Sequence, residues 1–425
     1  MVSFAFSLLF VVFLLLTLAL RYWLARRHMR HVLAHRSAVP AEFSEKIPLP
    51  AHQKAADYTV AKTRFGLFAA VWSALVLVGF TLLGGLEALS AGVLQLVGAG
   101  MPHQLGLFIA FAVVSGLIDL PFDYYRHFVL EERFGFNKMS VRLWMIDMAK
   151  GTALGAALGL PLLWAVLALM NKAGPLWWLY TWVVFSVYQL LVMVIYPVFI
   201  APLFNKFTPL ADESLKARIV GLMARTGFTS KGLFVMDGSR RSAHGNAYFS
   251  GFGTNKRIVF YDTLIERLAP QEVEAVLAHE LGHFKLKHIV KRIAMSFALS
   301  LAFLALLGWL KEQAWFYTGL GVMPNLISPS GQSNDAMALL LFLLVLPVFL
   351  FPFAPLASLG SRKHEFEADA FAAKHSDARD LVSALVKMYE DNASTLTPDP
   401  IHSAFYDSHP QAWVRVKHLQ SAGLV

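Results

Sequence analysis

Residues Val273–His288, VEAVLAHELGHFKLKH, decide how the chain is read, because they hold His279, Glu280 and His283 in the pattern HExxH. On an α-helix, residues four apart lie about 40° apart around the axis, so both imidazoles can reach one metal ion. The spacing suits zinc, and Glu280 projects beside the ligand face, where a carboxylate can act as a general base on an activated water without taking a coordination position. Upstream, Pro270 and QEVEAVLA read as a helix start, with Glu272 and Glu274 where the helix dipole favours negative charge. The pattern alone is not decisive, since it arises by chance in roughly a few per cent of chains this long. Its ordinary alternative is a surface helix carrying two histidines.

The rest of the chain places that helix at a membrane. Of 425 residues, 56% are hydrophobic and 15% charged, and the mean hydropathy is +0.53, far from the usage of a soluble domain. With no Cys anywhere, disulfides, thiolate ligands and cysteine nucleophiles are excluded, so a metal must be held by His and carboxylate. The net charge of +9 sits between apolar segments rather than on one soluble face, which argues for membrane topology and against nucleic acid.

Seven apolar stretches are long enough to span a bilayer: Ser3–Leu24, Phe65–Gly85, Leu105–Tyr124, Met145–Leu169, Leu176–Ile200, Ile289–Leu310 and Ala336–Leu359. The first is followed by ARRHMRHVLAHR, which belongs on the cytoplasmic side, and it lacks the cleavage site of a signal peptide. A polar cytoplasmic segment then runs to Arg64, and Leu86–Gln104, without Lys or Arg, fits the outer face. The third span carries Asp119 and Asp123, carboxylates that either sit at the interface or line a water-filled cavity. Pro197 and Pro202 predict a kinked or unwound inner end for the fifth span, and Pro347, Pro352 and Pro355 interrupt the seventh.

Four segments follow from this partition: spans one to five with their loops over 1–200, a first cytoplasmic part over 201–288, spans six and seven over 289–359, and a second cytoplasmic part over 360–425. Leu215–Arg225 reads as an amphipathic helix, and Gly232–Asp262 as a small sheet with a hairpin turned at Gly-Thr-Asn-Lys. Asn246, at a strand start, either serves its turn or hydrogen-bonds an extended substrate added to the sheet edge. The sixth span follows HELGH almost without a break, so the metal site should lie at the cytoplasmic membrane surface. The third ligand comes from SRKHEFEADAFAAKH: Glu365 and Asp369 share a helix face, where one can bind zinc while the other fixes the tautomer of a ligand histidine. Glu367 points elsewhere, and His288 and His364, lacking helical spacing with His279 and His283, are read as supporting or solvated residues.

Taken together, LPFDYYRHFVLEERFGFN, HGNAYFSGF, VLAHELGHFKLKH, SRKHEFEADAFA and SHPQAWVRV show that the chain resembles the type I CAAX prenyl proteases, integral-membrane zinc endopeptidases of the gluzincin kind. The resemblance covers nearly the whole chain. It implies a mainly α, polytopic fold with seven transmembrane helices enclosing a water-filled chamber, capped by a cytoplasmic α+β metalloprotease domain. It further implies one Zn2+ per chain on His279, His283 and Glu365, with Glu280 as catalytic carboxylate and Asp369 as partner of a ligand histidine. Asn246 would hold the substrate backbone, and His409 and Arg415 would meet the developing oxyanion. The expected partners are the bilayer and a peptide or protein substrate, prenylated in the family's name-giving reaction. A short outer loop at Lys311–Asp335 and an ending SAGLV without a lysine-based retrieval signal point to a bacterial inner membrane, where turnover of membrane proteins without a prenyl requirement is the alternative task. A transporter would explain the spans but not HELGH and EFEAD on one side of the membrane; an inactive zinc scaffold would not need Glu280.

Overall fold

The computed structural model describes residues 1–230, 232–250, 257–324 and 334–421. Among them, seven helical segments are long and apolar enough to cross a membrane: Val2–Ala34, Leu49–Phe80, Met101–Glu131, Val141–Lys172, Gly174–Phe204, His288–Leu310 and Asp335–His375. Each overlaps one expected span and most outrun it, while the second stops at Phe80, short of the expected Gly85. The polar segment before Arg64 is the clearest difference, because the second helix already begins at Leu49. Lys54, Asp57 and Lys62 spoil the apolar pattern by which a span is recognised, but they do not interrupt the i to i−4 hydrogen-bond ladder. Gly85–Val97 is a further apolar helix, too short to span. Pro197 lies in a π-helical turn at Tyr196–Ile200, and Pro352 in a 3₁₀ turn at Phe351–Phe353 that joins the seventh span to Ala354–His375.

The spans bury little of themselves. In the first six, only 6–17% of each apolar window is buried, against 44% in the seventh. Helices so sparsely covered leave most of their apolar surface outside the protein's packed cores, as spans in a lipid solvent do. Two separate cores hold the ends. One gathers Phe10, Leu107, Leu167, Leu307, Tyr317 and Leu341 around the first half of the seventh span. The other contains Ile219, Leu222, Phe260, Leu277, Leu281, Ala372 and Leu381 and lies in the polar-facing domain.

That domain is built on a four-stranded sheet in the order β1-β2-β4-β3, with β1 Phe207–Pro209, β2 Leu233–Met236, β3 Ala247–Ser250 and β4 Arg257–Tyr261. β2 and β4 run parallel, while β1 and β3 pair antiparallel at the edges. The expected turn at 253–256, the loop stretch 325–333 and the last residues, 422–425, lie outside the described residues. β1 is invisible to pattern reading: it is three residues long and ends in Pro209, tolerated because an edge strand has no second neighbour to donate to. The amphipathic helix spans Glu213–Thr226; the Asp212 carboxylate accepts from the Leu215 amide at its start and Gly227 (φ 62°) ends it.

Ile219 is fully buried between this helix and the HELGH helix. Ile219→Ala should cost about 2–5 kcal/mol of stability, read as a lower thermal midpoint of the detergent-solubilised protein.

Candidate metal centre

The HELGH helix runs Pro270–Lys285 and ends against the sixth span, while Glu365 and Asp369 ride on Ala354–His375, the continuation of the seventh. These two helices meet at Gly282. A Cβ added there would lie 3.0 Å from Ala368 Cα and 3.1 Å from Phe371 Cβ. The glycine of HELGH thus allows an approach that no other residue would allow without displacement. The helix start is also anchored: Glu272 accepts from the Ala269 amide, Ser383 Oγ and Lys387 Nζ at 2.6–2.7 Å. Glu274 meets Arg218 and Arg225, so these residues do more than answer the dipole.

The approach brings His279, His283 and Glu365 together. Nε2 of His279 lies 3.3 Å from Nε2 of His283, and the two nitrogens lie 3.4 Å from Glu365 Oε2 and Oε1 respectively. Such edges are those of a tetrahedron of donors around one cation at roughly 2.0–2.1 Å. Glu365 is 2% exposed, and its Oε2 is buried without a hydrogen-bond partner, an orphan atom that a metal ion would satisfy. Burial opposes protonation of His279, yet hydrogen bonds to Asp369 and Glu365 outweigh it and raise the imidazole to about 9, so the carboxylates around it favour positive charge at this point. Burial and the neighbouring His279 lower His283 to about 4, holding it in the neutral form a ligand needs. Burial pushes the Glu280 carboxyl up, the direction that suits a group which takes and returns a proton.

Asp369, fully buried, accepts from His279 Nδ1 at 2.8 Å and from Nε and Nη2 of Arg415. Nη2 also approaches His279 Nδ1 at 3.4 Å. The guanidinium therefore sits beside the ligand ring, held by the Asp369 carboxylate. His409, by contrast, is exposed, with Nε2 3.5 Å from Glu365 Oε1 and Nδ1 2.9 Å from Ser408 Oγ. Asn246 is exposed at the head of β3, where its Oδ1 caps the Ala247 amide at 2.8 Å and its carbonyl accepts from Tyr261. Of the third-span carboxylates, Asp119 is exposed and Asp123 accepts from Trp144 Nε1 at 2.8 Å. His288 is the residue sequence reading undervalued: it is fully buried, with Nδ1 3.0 Å from His283 Nδ1 and Nε2 2.8 Å from Glu367 Oε2. On an unbroken helix it would face away from His283; only the positive φ of Lys287 (57°) turns it back.

A seven-span membrane scaffold with a buried HExxH-plus-Glu donor set defines a membrane-embedded metalloendopeptidase. The chain matches the family described as CAAX prenyl protease N-terminal, five membrane helices, over residues 28–206 and Peptidase family M48 over residues 209–422, and it belongs to that family. It is 37% identical over 404 residues to CAAX prenyl protease 1 of Saccharomyces cerevisiae, covering 90% of this chain and 88% of that one. It is 33% identical to the Caenorhabditis elegans CAAX prenyl protease 1 homolog, with 98% of each covered. The crystal structure of S. mikatae Ste24p superposes with a TM-score of 0.90 at 33% identity, over 97% of this chain and 98% of that chain.

Because Gly282 sets the helix contact, Gly282→Ala should force the two helices apart by a few tenths of an ångström and cost about 1–3 kcal/mol. Metal content of the purified variant should fall with it.

Proposed function

We propose that the protein is a zinc endopeptidase that cleaves CAAX-type carboxyl-terminal peptides, with its centre on the cytoplasmic side. The observation that carries this reading is the buried set of three donors at 3.3–3.4 Å with one orphaned carboxylate oxygen. A zinc ion held by His279, His283 and Glu365 would supply Lewis-acid chemistry and a water of near-neutral pKa. Glu280 takes the proton of the attacking water and returns it to the leaving amine. His409, with Nδ1 tied to Ser408, presents Nε2 towards the reacting centre and stabilises the oxyanion, a donor of the kind that contributes about 3 kcal/mol. Arg415 acts one step back, holding Asp369 so that His279 keeps Nε2 free for the metal. Asn246, heading the edge strand β3, supports a substrate added as a further strand.

The basic flanks of the spans support a cytoplasmic centre, and nothing in the charge pattern calls for nucleic acid. The alternative, supported by the short Lys311–Asp335 loop, is a bacterial inner-membrane protease acting on unprenylated membrane proteins; the relatives named above are eukaryotic.

Glu280→Gln should retain zinc, measured by elemental analysis, while peptide cleavage falls by about 10²–10⁴-fold; cleavage at the wild-type rate sinks the mechanism. Chelation should abolish activity and added zinc restore it. A farnesylated CaaX peptide should be cleaved faster than its unprenylated counterpart, and equal rates would remove the prenyl preference while leaving the peptidase.

A further inference from the structure

We infer that His288 and Glu367 are positioning residues that fix the tautomer and ring plane of His283, forming a second carboxylate-ended arm beside the Asp369 arm of His279. The direction of the hydrogen bonds follows from the atoms. Two ring nitrogens 3.0 Å apart, His283 Nδ1 and His288 Nδ1, hold one hydrogen between them. If His288 donated it, His283 would have to carry its own hydrogen on Nε2 and could not bind a metal there, and a neutral His288 would also leave its Nε2 bare against the Glu367 carboxylate oxygen at 2.8 Å. If His283 donates it, His288 Nε2 carries the other hydrogen to Glu367, every atom is paired, and His283 Nε2 is left bare towards His279 and Glu365, as a metal ligand must be. The carboxylate at the end of the chain sets the direction.

The surroundings hold this arrangement. His288 is fully buried, and its ring stacks on His364 with centroids 4.1 Å apart and 13° between planes. Reaching this position requires the break between the HELGH helix and the sixth span. A residue five on from His283 would lie about 140° round a continuous helix. Lys287, with φ 57° and ψ 30°, is one of two non-glycine residues with positive φ among those described, and it swings His288 back under the ligand ring. Strained backbone of this kind persists where the surrounding structure uses it. His288, His364 and Glu367 also bring one donor atom each within 4.8 Å of one another, so a second metal ion is the competing occupant of the same cluster.

The inference rests on the metallopeptidase reading. Its test compares the full-length wild type with His288→Ala, Glu367→Ala, the double variant and His288→Asn, measuring zinc Kd by chelator competition, zinc stoichiometry, and KM and kcat. Both alanine variants should raise the zinc Kd by roughly 10–100-fold, with KM within about twofold. The double variant should be no weaker than His288→Ala, since the arm acts as one unit, and His288→Asn should recover part of the loss by accepting from His283. Glu367, whose side chain is 35% exposed, gives a variant that folds should His288→Ala fail to. A Kd within about twofold of wild type in Glu367→Ala overturns the arm, as does a second zinc per chain that vanishes with His288→Ala. A wild-type protein that binds no zinc overturns the peptidase reading itself.

Discussion

Two imidazole nitrogens and two carboxylate oxygens converge in a buried space with edges of 3.3–3.4 Å and one oxygen left without a hydrogen. Acceptors so placed repel one another unless a cation lies among them. The arrangement is held against that repulsion by what lies behind each ligand: Asp369 and Arg415 behind His279, His288 and Glu367 behind His283.

The membrane spans enter this geometry directly. One ligand helix leads into the sixth span through Lys287, and the other is the inward extension of the seventh. The two spans are thus joined at the metal, and Gly282 lets the extensions touch. A centre built this way is tied directly to two of the spanning helices. Sheet edge β3, headed by the exposed Asn246, lies on the same domain.

Sequence reading recovered the seven spans because a run of some twenty apolar residues has few alternatives to a transmembrane helix. Helical periodicity put His279 and His283 on one face and Glu365 and Asp369 on another, and left open which carboxylate meets the histidines; the resemblance named Glu365. Sequence reading failed where periodicity is interrupted or diluted. The helix from Leu49 was hidden by its lysines, β1 by its proline, and His288 by a left-handed residue that no propensity announces in a lysine. The resemblance expected Arg415 at the oxyanion; what no pattern announced is its pairing with the buried Asp369 beside His279.

Composition, periodicity and motif spacing therefore determined by themselves that this chain crosses a membrane seven times and carries two histidines on one helix face and a pair of carboxylates on another, residue types competent to bind one metal. Those properties are local, set by hydrophobic length and by the 3.6-residue turn. Only the tertiary structure decided which carboxylate completes the donor set, which supports it, and that His288 and Glu367 stand behind the second ligand. Such choices depend on how two helices separated by two membrane crossings pack at a single glycine, and distance in sequence carries no record of that contact.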